Sequence, residues 1–303
     1  MGRRYFLWLP ALWIQCYCAH VSADMSSPPA TQAEQSTQTQ TKPSALQRRI
    51  VNELETRDKP FVLSPHKPNY LLPYTYNTTP NQAPFDPNTD FELQNEEIKF
   101  QISIKFSIIE HLFGEEGSIY FGYTNLSFWQ AYNTTASSPF RETNHEPELF
   151  VIVPNDWKIA GFTNRLNILG LSHQSNGRGG SLSRSWNRVY AEFIFEHGDF
   201  YFSVKPWVRI GGNGQDDNPD IEDYLGHGEF RAVYANGRHT VSLMLRNNLQ
   251  AENYGAVEIN YSFPMSRNAK WFMQYFEGYG ESLIDYNARS QRFGIGIALT
   301  DWL

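Results

Sequence analysis

The chain has 303 residues, 15% of them aromatic, and a formal charge of −7. This acidic balance is a poor match for nucleic acid, so we expect no nucleic-acid partner. The mean hydropathy of −0.50 would favour a soluble protein. It does not exclude a membrane β-barrel, because lipid-facing and lumen-facing residues alternate in a barrel strand and their hydropathies cancel.

The first 23 residues have the pattern of a secretory signal peptide. Arg3 and Arg4 give a positive start, residues 5–18 form an apolar core too short for a permanent anchor, and the small Ala23 suits a signal peptidase. Both cysteines lie in this segment, so the mature chain would have neither a disulfide nor a catalytic thiol. Cleavage would remove two arginines and no acid, which changes the formal charge from −7 to −9.

A leader is expected over residues 24–59. Its first part, residues 24–43, is rich in Gln, Thr, Ser and Pro and has almost nothing to bury, which predicts disorder. Residues 44–58 have apolar residues at helical spacing after a Ser44 cap, which predicts a short amphipathic helix or a disordered segment. We expect the barrel domain to occupy residues 60–303.

From residue 69 onward, apolar and polar residues alternate with a period of two, as in strands with one apolar face. In residues 97–108 the apolar positions are Ile98, Phe100, Ile102, Ile104, Phe106 and Ile108. Residues 199–210 repeat the pattern. Ten further segments are less regular: 69–77, 117–130, 148–154, 164–175, 184–196, 224–235, 239–249, 255–264, 269–279 and 290–300.

These segments predict an all-β fold, a twelve-stranded antiparallel transmembrane β-barrel of the bacterial outer membrane. Alternating segments of about 10 residues after a signal peptide are typical of such barrels, whereas strands of soluble proteins usually have about 5–6 residues. The alternative is a secreted β-sandwich with one solvated face. Aromatic residues near strand ends favour the membrane, where they form interfacial girdles: Tyr120, Trp129, Trp157, Trp186, Trp207, Trp271 and Trp302.

Polar residues interrupt one apolar row near the end of a predicted strand, in the stretch LGLSHQSNGR (residues 169–178). Residues two apart in a strand share a face, so His173 and Ser175 lie in line with Leu169 and Leu171. On the next strand, the apolar phase extended backwards reaches Asn187. A polar group on a lipid-facing row is costly, and the three side chains would meet outside the barrel near the membrane edge.

This arrangement favours nucleophilic catalysis, although ordinary strand residues remain the alternative. A serine needs an imidazole to take its proton and a third group to hold the imidazole's tautomer. His173 could activate Ser175, and the amide oxygen of Asn187 could orient His173. The glycine-rich turn over residues 177–180 could supply backbone N–H groups to an oxyanion, or it could be only a flexible hairpin turn.

Four blocks of the sequence resemble a known family. The run HQSNGRGGSLSRSWNR (173–188) is similar to the signature of outer membrane phospholipase A. The blocks SSPFRETNHEPELF (137–150), DDNPDI (216–221) and GYGESLIDYN (278–287) support the resemblance, which covers roughly residues 60–303.

The resemblance implies an enzyme, a calcium-dependent phospholipase A1/A2 that cleaves the acyl esters of phospholipids and lysophospholipids and is active as a homodimer. It implies that Ser175 is the nucleophile, His173 the general base and Asn187 the residue that orients the base. It places the backbone N–H of Gly177 in the oxyanion hole.

The resemblance also implies a Ca²⁺ site. Its oxygen ligands would be the carbonyl of Arg178, the residue Ser183 and a carbonyl at Ser137 of the partner subunit, a donor set that suits a hard cation. A second site would include Asp217. The family usually has an acidic residue where this chain has Gly180, which puts the second site in doubt.

Two further points stay open. Asn125 stands where the family has an interface glutamine, and its side chain reaches less far. The alternative to the enzyme is a non-enzymatic outer-membrane barrel, a porin or an adhesin. A barrel of twelve strands with short turns predicts a narrow lumen filled by side chains.

Overall fold

The computed structural model describes residues 43–57, 63–85, 92–112, 117–211 and 216–303. The predicted signal peptide and residues 24–42 of the leader lie outside the described residues. Residues 42–303 form one compact unit. Among the described residues, no helix is long and apolar enough to cross a membrane.

The described residues contain two helices, α1 (Ala45–Arg57) and α2 (Ile221–Leu225), and one 3-10 turn, Gly180–Leu182. The strands are β1 (Ser64–Pro65), β2 (Asn69–Asn77), β3 (Glu96–Leu112), β4 (Gly117–Trp129), β5 (Phe140–Pro154), β6 (Lys158–Ile159), β7 (Phe162–Ser175), β8 (Ser185–His197), β9 (Phe200–Ile210), β10 (Gly228–Asn236), β11 (His239–Asn247), β12 (Gly255–Pro264), β13 (Lys270–Tyr279) and β14 (Arg289–Thr300).

Twelve of these strands close into an antiparallel barrel, which confirms the predicted fold class. Each long strand pairs with the next long strand along the chain, and β14 pairs with β2 to close the ring. The two-residue strands are additions at its rim, with β1 pairing with β3 and β6 with β7. The ring leaves no free edge among its twelve strands.

Two predicted strand limits were wrong. The segment predicted over 148–154 begins at residue 140; the sequence carries no sign of this because residues 141–146 are polar on both faces and show no hydropathy alternation. The segment predicted to begin at residue 224 begins at 228, because residues 221–225 form α2, whose apolar side chains Ile221 and Leu225 are buried.

The barrel is polar inside and apolar outside, the inverse of a soluble protein. Leu169 and Val208 face outward and are 57% and 65% exposed. Glu97, Lys99 and Arg292 point into the lumen and are almost fully buried. They form ion pairs there, such as Arg292 with Glu97 at 2.8 Å, which satisfies charges that would be costly if unpaired.

The helix α1 and the C-terminal end of β14 lie at the same end of the barrel. A capping box begins α1, since the backbone N–H of Gln47 donates to Ser44 Oγ at 3.0 Å and that of Ser44 donates to Gln47 Oε1 at 3.1 Å. Leu46 packs on Tyr201 in a small buried cluster. The helix is therefore docked against the barrel.

The connection over residues 280–288 packs into the other end. Leu283 and Ile284 are buried, and their backbone N–H groups donate to Asn144 Oδ1 at 2.9 Å and Glu142 Oε1 at 3.2 Å. The lumen between the two ends keeps a cavity of about 290 Å³ lined mainly by charged, amide and aromatic side chains. As the sequence predicts, side chains fill much of the interior.

Candidate active site

The predicted site residues lie where β7 and β8 approach their connection. His173 is the direct cross-strand partner of Asn187, and Ser175 is the partner of Ser185. The outward row that carries His173 and Ser175 continues the exposed row of Leu171. The structure therefore places these polar side chains on the lipid-facing wall.

His173 and Asn187 are in direct contact. The Nδ1 atom of His173 lies 2.7 Å from Oδ1 of Asn187. An amide oxygen can only accept, so Nδ1–H donates and Nε2 keeps its lone pair. Ser175 shares the face of His173, while among the described contacts no hydrogen bond joins its hydroxyl to the imidazole. Such contacts often form only when substrate binds.

Side chains on the opposite face of the same strands brace the site from the lumen. Ser172 Oγ and an Arg188 guanidinium nitrogen donate to Glu146 Oε1 at 3.0 and 2.8 Å. Trp186 Nε1 donates to Gln174 Oε1 at 2.8 Å. These bonds tie β5, β7 and β8 together directly beneath the outward residues, so the register of the site is fixed from inside.

The connection after Ser175 is organised by the buried Asn176. Its Oδ1 accepts from the backbone N–H groups of Arg178 at 3.3 Å and Arg184 at 3.0 Å. Its Nδ2 donates to the carbonyl of Leu182 at 2.8 Å. Gly177, next in the chain, has a φ of +65°, a backbone conformation that favours glycine. The sequence prediction missed Asn176, whose only signal is its place beside Ser175.

Two of the predicted calcium ligands lie in this connection. The Arg178 guanidinium donates to the carbonyls of Phe140 and Arg141 at the start of β5. Ser183 Oγ donates to Asp217 Oδ2 at 2.5 Å. The carboxylate of Asp217 is therefore beside Ser183, as a shared oxygen site requires.

No group of three or more His, Cys, Asp or Glu side chains among the described residues could hold a metal ion. The predicted ligands are carbonyl and hydroxyl oxygens instead, so the donor chemistry fits a hard cation. Ser137 lies in the connection between β4 and β5 with a φ of +61°, and no described hydrogen bond joins it to Arg178 or Ser183.

The two departures from the family pattern are also visible. Gly180 has a φ of +62° and nothing near its Cβ position. Asn125 lies on the outer wall, where its Oδ1 accepts from Ser127 Oγ at 3.0 Å and its Nδ2 lies 3.4 Å from Nδ1 of His145.

His145 is a second residue that the sequence prediction missed. It is the direct cross-strand partner of Ser175, and its Nδ1 lies 2.7 Å from the hydroxyl of Tyr123. His145 and the exposed Leu149 are an even number of residues apart on the same strand and therefore share a face. This spacing could have predicted that His145 lies outside the barrel.

A groove of about 400 Å³ adjoins the site on the outer wall. His173 and Asn187 lie among its lining residues, and the rest of the wall includes Leu149, Leu171 and Ile210. The arrangement can therefore hold an apolar chain next to a histidine.

Fold and site together define an outer-membrane β-barrel hydrolase with a Ser, His and Asn cluster on its lipid-facing wall. The sequence model of the phospholipase A1 family matches residues 46–299, so the chain belongs to the phospholipase A1 family. The match includes α1, whereas the sequence resemblance was placed only from about residue 60.

Individual relatives agree. Phospholipase A1 of Salmonella typhimurium is 39% identical over 253 residues, which cover 83% of this chain and 86% of the relative. Phospholipase A1 of Escherichia coli K12 is 39% identical over 255 residues, with the same shares.

Two solved structures are similar over nearly their whole length. Outer membrane phospholipase A from Escherichia coli has a TM-score of 0.77 at 38% identity and matches 84% of this chain and 98% of its own. The Salmonella typhi outer membrane phospholipase dimer with bound calcium has a TM-score of 0.78 at 38% identity, with 83% and 97% matched.

Proposed function

We propose that this chain is a calcium-dependent outer-membrane phospholipase that hydrolyses acyl esters of phospholipids and lysophospholipids, with Ser175 as its nucleophile. The observation that carries the proposal is the 2.7 Å contact between His173 and Asn187 on the lipid-facing wall. It leaves the free imidazole nitrogen available on the face that Ser175 shares.

The proposed reaction has two acyl-transfer steps. The Ser175 oxygen attacks the ester carbonyl carbon while its proton passes to His173 Nε2. The ester C–O bond then breaks, and the leaving lysophospholipid oxygen takes that proton. In the second step a water attacks the acyl-serine, gives a proton to His173 and releases the fatty acid as the proton returns to Ser175.

Asn187 and Gly177 have supporting roles in this proposal. The amide of Asn187 holds the His173 tautomer and orients the ring, but unlike an aspartate it adds no negative charge beside the imidazolium. The backbone N–H of Gly177 stabilises the negative oxygen that develops during attack, a contribution of about 10²–10³ in rate for one donor.

Calcium would be held by Arg178 through its carbonyl and by Ser183, with a further carbonyl at Ser137 of the partner subunit. When bound, the cation supplies electrostatic stabilisation to the developing negative oxygen. The contact between Ser183 and Asp217 at 2.5 Å supports an oxygen-rich cation site at this point. Asp217 would belong to a second site, which Gly180 leaves without its usual acidic ligand.

We propose further that the active form is a homodimer. The solved Salmonella typhi relative is a dimer with bound calcium, and a site completed by Ser137 of the partner subunit would make activity depend on assembly. Asn125 lies on the outer wall, where it could bond its counterpart across the interface. Substrate would reach the site laterally from the membrane, since the cluster faces lipid.

Of the two non-enzymatic alternatives, a porin or an adhesin, the porin is disfavoured by the two ends of the barrel. The helix α1 is docked at one end, and residues 280–288 are packed into the other, so the described structure offers no wide channel.

The test measures fatty acid release from phospholipid in mixed micelles, with calcium and with a chelator. Wild type, Ser175→Ala and Ser185→Ala are compared, because Ser185 is the cross-strand partner of Ser175 on the same wall. We expect calcium-dependent release by wild type and Ser185→Ala, and none by Ser175→Ala. Release by folded Ser175→Ala, or no release by folded, dimeric wild type, would contradict the proposal.

A further inference from the structure

A histidine outside the proposed catalytic set lies directly beside the nucleophile. His145 on β5 is the cross-strand partner of Ser175 on β7. Side chains of such pairs share a face, with Cβ atoms about 4.5–5.5 Å apart. The proposed reaction assigns no role to this imidazole.

The ring edge of His145 faces the turn that carries the oxyanion donor. A Cβ placed on Gly177 would lie 3.9 Å from Cδ2 and 4.0 Å from Nε2 of His145. The Nε2 side of the ring therefore approaches the same space as the backbone of Gly177.

The contacts at the other ring nitrogen determine which nitrogen carries the proton. Asn125 Nδ2, which can only donate, lies 3.4 Å from His145 Nδ1. Ser127 Oγ donates to the Oδ1 of the same amide at 3.0 Å, so the Nδ2 end is the one that points to His145. Nδ1 is therefore an acceptor, and it takes a second hydrogen bond from the Tyr123 hydroxyl at 2.7 Å.

A neutral imidazole with Nδ1 as acceptor carries its hydrogen on Nε2. No described residue accepts a hydrogen bond from this N–H. A donor held in one orientation beside the nucleophile, with no described protein acceptor of its own, is what a developing oxyanion requires.

We propose that His145 Nε2–H is a second protein donor of the oxyanion hole and acts on the same oxygen as the Gly177 N–H. The inference rests on the proposed function, because it needs an ester carbonyl at Ser175. His145 would then be a catalytic residue, and the Tyr123–Asn125 pair would position it.

The chain contains a matched control. His239 also lies beside a tyrosine on the outer wall, with Nδ1 2.9 Å from the Tyr261 hydroxyl and ring centroids 6.1 Å apart. The Tyr123–His145 rings are 6.2 Å apart with a similar tilt. His239 lies at the end of the barrel remote from Ser175, so His239→Phe removes an equivalent pair without touching the site.

The experiment compares His145→Phe, His145→Gln and His239→Phe with wild type and Ser175→Ala. The substrate is a phosphate-free p-nitrophenyl acyl ester in micelles with saturating calcium, so that a contact with the lipid phosphate cannot contribute. We expect His145→Phe to lower kcat about 10²-fold with KM within threefold. The side-chain amide in His145→Gln can donate a hydrogen bond, so its kcat should be at least tenfold higher than that of His145→Phe. The kcat of His239→Phe should match that of wild type.

Three results would overturn the inference alone while the wild type stays active and Ser175→Ala inert. They are an unchanged kcat in His145→Phe, an equal loss of kcat in the Phe and Gln variants, and a loss confined to KM. An inert wild type, or an active Ser175→Ala variant, would overturn the proposed function and this inference with it.

Discussion

Replacing Asn176 with alanine should uncouple the calcium-binding connection from the catalytic serine beside it. The side chain is 5% exposed, and its amide bonds three backbone groups on both sides of the connection between β7 and β8. Alanine leaves two N–H groups and one carbonyl without these partners. The connection should then lose its order more readily than the strands around it.

The expected size follows from the three lost bonds. Each is worth about 0.5–1.5 kcal/mol net, so together they contribute about 1.5–4.5 kcal/mol to holding the connection in place. Because 1.36 kcal/mol corresponds to a factor of ten, kcat or the apparent calcium affinity should fall roughly 10-fold to 2 × 10³-fold.

The assay is ester hydrolysis during a calcium titration, with Asn248→Ala as the matched variant. Asn248 is also 5% exposed and bridges its own connection in the same way. Its Nδ2 donates to the carbonyls of Asp223 and Glu252, and its Oδ1 accepts from the backbone N–H groups of Gln250 and Tyr254. Asn248→Ala should keep wild-type activity. Activity within twofold of wild type in folded Asn176→Ala would refute the reasoning.

Three other predictions concern Asn187, Gly180 and Glu53. Asn187→Ala should lower kcat at least about 10²-fold in the ester assay, because the His173 tautomer loses its acceptor; a change below fivefold would contradict this role. Gly180→Asp should tighten calcium binding by the monomer, measured by calorimetry, because it returns an acid near Asp217; unchanged binding would contradict it. Burial raises the pKa of Glu53, but the charges and hydrogen bonds of Lys105 and Arg49 together outweigh it and hold the pKa below the ordinary value of 4.5. This stabilisation is fully present above that ordinary pKa and is lost as the pH falls through the lowered value. Because Glu53→Gln removes the charge that pairs with Lys105, α1 should be held less firmly, and trypsin should cleave within α1 faster than in wild type at neutral pH. Equal cleavage rates in the two proteins would contradict a stabilising contact between Glu53 and Lys105.

The barrel was predictable because its signal is local. Alternation with a period of two shows directly in segments such as 97–108 and 199–210, and the structure has β3 and β9 there. The first half of β5 gave no such signal, since Glu142 and Asn144 face the lumen while Thr143 and His145 face outward. A strand that is polar on both faces has no hydropathy period.

The candidate site was partly predictable for the same reason. The apolar phases of β7 and β8 and their shared turn put His173 and Asn187 on the outer face of neighbouring strands, and in the structure the two residues are direct partners. The position of His145 depends on the register between β5 and β7, which is set by long-range pairing. The role of Asn176 depends on how residues 176–184 fold back on its side chain, and a single sequence carries no local signal for that.

The central claim, that Ser175 is an activated nucleophile on the lipid-facing wall, is tested most directly by covalent labelling. The refolded protein is treated with a fluorophosphonate probe in micelles, with calcium or with a chelator, and the labelled peptide is identified by tandem mass spectrometry. We predict a single adduct on Ser175 that needs calcium and is greatly reduced in Asn187→Ala. A protein that hydrolyses phospholipid but is labelled at another residue, or not at all, would contradict the account.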